Sequence, residues 1–137
     1  MRYAALLLVL GVTWAGAQNP KYVRDLHKAA KKGDAKAQYS LGMAFADAYQ
    51  VERDYEKAVE WLSLAANQGH VHAQEFLGKL YFTGNGVGQS HAEAARWFTL
   101  AAQAGNAETQ VLLGNLYNNG EGVEQDFQKA AYWYRLA

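Results

Sequence analysis

Apolar residues recur three, four and seven positions apart along this chain instead of alternating, which predicts helices and no sheet. Residues 71–82 predict one helix, helix A. The turn Gly84-Asn85-Gly86-Val87 ends it, and Ser90 precedes a second helix, helix B. The same pair recurs every 36 residues without a gap, as units 29–64, 65–100 and 101–136. Units two and three share 16 of 36 residues, and units one and two share 11. Chance would give about 2 or 3 at ordinary residue frequencies, so the repeat is genuine.

Positions that repeat are expected to be packing positions. In helix A they are Gln38/Gln74/Gln110, Leu41/Leu77/Leu113, Gly42/Gly78/Gly114 and the aromatic Phe45/Tyr81/Tyr117. In helix B they are Ala58/Ala94/Ala130, Trp61/Trp97/Trp133, Leu64/Leu100/Leu136 and Ala65/Ala101/Ala137. Each set lies on one helical face, with the glycine allowing a neighbouring helix to come close. Gly33, Gly69 and Gly105 close each helix B in a left-handed conformation. Asp34, His70 and Asn106 then start the next helix A. Ser90 with Glu93 fits a capping box, and Asp54 and Asp126 serve as N-caps at the same position.

Unit one departs from the pattern. Ala48 and Gln50 stand where the others have Gly84/Gly86 and Gly120/Gly122. The glycine turn is not expected there. Residues 47–50 either extend helix A or make a different loop, a candidate for specific contact.

The ends differ from the units. Residues 1–17 combine a basic start, a short apolar run and the small residues Ala15-Gly16-Ala17, the pattern of a cleavable secretory signal. The run is too short to span a bilayer, and no cysteine follows it to carry a lipid. Cleavage is expected before Gln18, with a periplasmic or extracellular destination and no stable membrane insertion. Residues 18–28 are expected to lead a lone helix B that caps the solenoid, with Lys28, Lys31 and Lys32 at its C-terminal end. The third unit ends on Tyr132, Trp133, Tyr134 and Leu136. Their apolar face is expected to be partly exposed and to offer a surface for a partner or a second copy.

Composition narrows the function classes. Thirteen basic and 13 acidic residues leave no net charge, which argues against nucleic-acid binding. The absence of cysteine removes disulfides, thiolate zinc sites and a cysteine nucleophile. His70 and His72, with Glu75 nearby, lack the three or four converging ligands of a zinc site, and an exposed helix start is the simpler reading. The serines lack a nucleophile context. The glycines of residues 84–88 lack a preceding strand and a phosphate-binding lysine. No catalytic residue, metal site or cofactor is expected.

The run Ala107-Glu108-Thr109-Gln110-Val111-Leu112-Leu113-Gly114-Asn115-Leu116-Tyr117-Asn118-Asn119-Gly120-Glu121-Gly122-Val123 is similar to the Sel-one-like repeat (SLR), a subgroup of the tetratricopeptide-like helical repeats. So is the run Asp126-Phe127-Gln128-Lys129-Ala130-Ala131-Tyr132-Trp133. The resemblance covers residues 29–137. It implies an all-α, short right-handed α-solenoid of three helix-turn-helix repeats behind an N-terminal cap helix. It also implies protein–protein scaffolding. By the same resemblance helix A lines a concave groove. The positions there that vary between units are Lys36, Tyr39, Met43 and Ala46, then His72, Glu75, Lys79 and Phe82, then Glu108, Val111, Asn115 and Asn118. Their mixture of aromatic, methionine, charged and amide groups suits a protein or peptide partner. The leading expectation is therefore a non-enzymatic, exported adaptor. The alternative is a periplasmic inhibitor or immunity protein against a secreted toxic enzyme. A cell-wall hydrolase is disfavoured, because the exported relatives linked to such ligands are rich in cysteine.

Overall fold

Seven helices succeed one another through residues 20–137, the part of the chain described by the computed structural model, with no strand among them. They are α1 (Pro20–Lys31), α2 (Ala35–Asp47), α3 (Tyr55–Asn67), α4 (Val71–Thr83), α5 (His91–Gln103), α6 (Ala107–Asn119) and α7 (Phe127–Leu136). The expected signal segment, residues 1–17, lies outside the described residues. Each helix packs on the helix before it and the helix after it in the chain, which makes the stack a short α-solenoid.

Local chemistry starts and stops these helices. Asp34, His70 and Asn106 each accept a hydrogen bond from the backbone N–H three residues on, at 3.1, 3.2 and 2.8 Å. Asp54, Ser90 and Asp126 do the same for α3, α5 and α7. The capping box at Ser90 forms only in half. Its backbone N–H donates to the Tyr81 carbonyl at 2.9 Å, so Glu93 pairs with Arg96 instead of reaching back. Gly33, Gly69 and Gly105 all adopt positive φ between the units, as expected.

Two glycine-related observations explain the close packing. A Cβ on Gly42, Gly78 or Gly114 would run into Leu62, Phe98 or Tyr134 respectively. These three partners are themselves 36 residues apart, so one knob-and-notch contact joins helix A to helix B in every unit. Between each helix and the helix A that follows it, the repeated glutamine does the joining. Gln38, Gln74 and Gln110 are buried, and each Nε2 donates to a carbonyl near the end of the preceding helix, on Ala30, Ala66 and Ala102, at 3.1–3.2 Å. Leu41, Leu62, Leu77 and Leu113 fill the centre with no measurable exposure, each contributing about 2 kcal/mol by transfer from water.

Two expectations about the fold are corrected. The repeated Leu64, Leu100 and Leu136 are not packing residues. They are 48%, 40% and 51% exposed. Each lies two positions, about 200° around the helix, from the residue that enters the glycine notch, so it points away from helix A. The turn of unit one also differs from expectation, because it closes as the glycine turns do. Ala48 takes φ 57° and Gln50 φ 62°, alongside Gly84 at 80° and Gly86 at 77°. Ala48 ends α2 with its N–H on the Ala44 carbonyl. The packing on both sides holds the chain in this left-handed conformation despite the steric resistance of a side chain.

Candidate functional site

Helices α2, α4 and α6 contribute one continuous face, and their side chains meet across the gaps between units. Tyr39 of α2 lies flat on the His70 ring, with centroids 4.6 Å apart and planes 22° from parallel. Because His70 Nδ1 caps α4 by accepting from the Ala73 N–H, the stacking fixes that ring against unit one. Burial lowers the His70 pKa, and the neighbouring His72 lowers it further. Burial, with Glu75 nearby, raises that of the Tyr39 phenol.

The next gap is bridged by charge. Lys79 Nζ lies 3.0 Å from Glu75 Oε2 on its own helix and 2.6 Å from Glu108 Oε2 on α6. Asn106 Nδ2 donates to Glu75 Oε1 at 3.0 Å, while His72 Nδ1 stands 3.5 Å from the same oxygen. Burial works to raise the Glu75 pKa, but the hydrogen bonds and charge of Lys79 prevail and hold it below the usual value. Burial works to lower that of Lys79, and the two carboxylates outweigh it, so it is raised. Within unit three, the Tyr134 hydroxyl of α7 donates to Asn115 Oδ1 of α6.

The residues chosen from sequence therefore divide. Tyr39, Glu75, Lys79 and Glu108 join neighbouring units, and Phe82 stacks on His91 at 4.4 Å. Ala46 is buried in the core at 3% exposure and leaves the stripe altogether. Met43 is half-buried beside Tyr22, Tyr39 and Tyr49 around a shallow cleft of about 260 Å³. Lys36, His72, Val111, Asn115 and Asn118 are exposed.

A second cleft, of about 290 Å³, opens between α4 and α6. Lys79, Phe82 and Asn115 belong to it, as expected for the face. Leu112, Leu116, Asn119 and Glu121 line it too, and sequence reading passed over them. Leu116 shares its repeat position with Leu80 and was a signal of packing, not of a cleft. Phe98 of α5 closes the floor. Among the described residues no group of three histidine, aspartate or glutamate side chains is placed to hold a metal ion, and no helix is long and apolar enough to cross a membrane.

Comparison with known proteins places this architecture. The model of the Sel1 repeat matches residues 35–70, 71–106 and 107–137, the same period cut at the start of each helix A. A search of curated proteins gives no match. Among solved structures, the chain is similar to c5321, a protective antigen of uropathogenic Escherichia coli with an SLR fold. The identity is 36% and the TM-score 0.80, over 83% of this chain and 24% of that one. It is also similar to a Sel1 repeat protein of Oxalobacter formigenes, at 28% identity and TM-score 0.76, over 89% of this chain and 53% of the other. The chain thus spans about a quarter and about half of those two proteins. Cysteine rich protein B of Helicobacter pylori shares the fold at 21% identity and TM-score 0.66, over 91% and 87% of the two chains. With three successive matches spanning its helical units, the chain belongs to the Sel1 repeat family, whose members generally serve as protein-interaction scaffolds.

Proposed function

We propose that this protein is a non-enzymatic adaptor, exported by a cleavable signal at residues 1–17, that holds a segment of a partner protein along the face of α2, α4 and α6. One observation carries the reading. The fold consumes Tyr39, Glu75 and Lys79 in joining the units, yet leaves a cleft at Lys79 between α4 and α6, and Val111, one helical turn before the lining residue Asn115, is still 41% exposed. A cleft lined by Phe82, Leu112 and Leu116, with an exposed apolar side chain on the same helix, has the composition of an interface centre. Export rests on the basic start, apolar run and small-residue site of the first 17 residues.

The test is quantitative capture from envelope extract with Val111→Asp and Asn118→Arg variants. Both residues are exposed, so melting should stay within about 0.5 kcal/mol of the parent. A stoichiometric partner lost in both variants supports the groove. A partner retained by both refutes it. A double replacement of Tyr39 and Phe82 would be a poor test, because Tyr39 stacks on His70 across the first gap and Phe82 stacks on His91 within unit two.

A further inference from the structure

We infer that the cleft between α4 and α6 receives an extended peptide segment carrying one apolar side chain next to a lysine or arginine. The inference rests on the groove reading above and specifies its ligand.

Size comes first. A space of about 290 Å³ is at the lower limit of small-molecule sites, which run to about 1,000 Å³, and fits one side chain with its flanking backbone. The floor is apolar and closed. Phe98 and Leu116 are 2% and 3% exposed, and Phe82 and Leu112 form the walls. Such a floor selects an aliphatic or aromatic anchor.

The rim is built from amides. The Tyr134 hydroxyl occupies Asn115 Oδ1 and leaves the Nδ2 hydrogens to donate to a peptide carbonyl. Asn119, whose Nδ2 donates to Glu121 and whose Oδ1 accepts from Asn118, keeps one further N–H and one further lone pair on the same rim.

Charge then chooses the neighbour of the anchor. Lys79 is the one cation among the lining residues, and Glu75 and Glu108 already hold it. Two carboxylates on one ammonium leave a negative charge. Glu121 adds a second at the rim, where its Oε1 accepts from Asn119 at 3.3 Å, the one hydrogen bond of that side chain among the described residues. The Glu108 side chain is 59% exposed, so this field reaches the solvent. A cationic residue beside the anchor completes it, and an acidic one is repelled.

The experiment is selection of a random heptapeptide library on the purified protein, followed by affinity measurement of the enriched peptides. The expected result is enrichment of leucine, isoleucine, methionine or phenylalanine adjacent to lysine or arginine. Glu121→Lys should weaken these peptides about five-fold, the upper range for an exposed charge pair, and raised salt should lessen the difference. Glu121→Gln should fall between the two. Enriched peptides without a basic residue, or with acidic ones, overturn the inference. If Val111→Asp still abolishes their binding, the groove reading survives that outcome. Peptides indifferent to both Val111→Asp and Glu121→Lys refute the inference and the groove together. Failure to enrich any sequence overturns the inference as well.

Discussion

The Phe98 ring occupies the space that a side chain on Gly78 would need: a Cβ built there stands 2.5 Å from Phe98 Cε1. Phe98 is 2% exposed and packs in one buried cluster with Ala94, Leu113 and Leu116, which its displacement would disturb. Gly78→Ala should therefore lower stability by about 2 kcal/mol, within the usual range for overpacking a filled core. Gly114→Ala meets Tyr134 in the same way, but that ring is 40% exposed and can swing outward. Its loss should be about half as large. Urea unfolding of the two variants checks the ranking, and equal losses would contradict it.

The glutamine joints can be tested at the central unit. Gln74 Nε2 donates to the Ala66 carbonyl at 3.2 Å inside the stack. Gln74→Ala removes that bond and leaves a void, and should lower stability by about 2 kcal/mol. The Ala66 carbonyl keeps the Gly69 N–H as a second partner, which holds the loss below that of a fully orphaned group. Gln74→Leu refills the space and should lose about 1 kcal/mol. Chemical denaturation separates the two.

The turn of unit one offers a stabilising change. Ala48 holds φ 57° at the end of α2, a conformation glycine adopts without steric penalty. Ala48→Gly should raise stability by about 0.5–1 kcal/mol, the left-handed penalty less the added entropy of the unfolded chain. A thermal melt at neutral pH is sufficient, and a lower Tm in the variant would oppose this account of the turn.

His70 makes one joint sensitive to acid. Its Nδ1 accepts from the Ala73 N–H, so the cap requires a neutral ring, whereas Asp34 and Asn106 cap their helices with side-chain oxygens. The groups facing it are Tyr39 from α2 and, on α4, His72, with Glu75 one turn on. Burial and His72 lower its folded pKa below the unfolded value. The native state therefore binds fewer protons than the unfolded state between those two values. The stabilisation is complete above the unfolded pKa near 6.5 and is lost as pH falls through the folded pKa. Between pH 7.5 and 5 the parent should lose about 1 kcal/mol, the ordinary worth of a cap, more than His70→Asn loses. Identical pH profiles for the two proteins would count against the cap.

Much of the architecture was legible in the sequence, for a reason that also explains the errors. Caps such as Asp34 and Ser90, and the left-handed Gly69, act within a few residues, so each leaves a local signature. The 36-residue repeat then multiplies that signature three times. Repetition marks whatever the units share, and Leu64, Leu100 and Leu136 share a solvent-facing position, not a core one. The turn at Ala48 escaped because packing overrode a local preference. The face was harder to read than the fold. Tyr39, Glu75 and Lys79 differ from their counterparts because each matches a particular neighbour about 30 residues on, His70, Asn106 or Glu108. Comparing units shows that such residues vary but not what they touch. The cleft itself draws residues from α4, α5 and α6, so no single helix pattern contains it.

Which face of the solenoid meets the partner can be read by crosslinking. A photoreactive phenylalanine analogue in place of Asn118, on the α6 face, can be compared with the same group in place of Leu64, exposed on α3. Irradiation in the native envelope should give one discrete heavier adduct from position 118 and none from position 64. Adducts from position 64 alone, or the same adduct from both, would contradict a partner held along α2, α4 and α6.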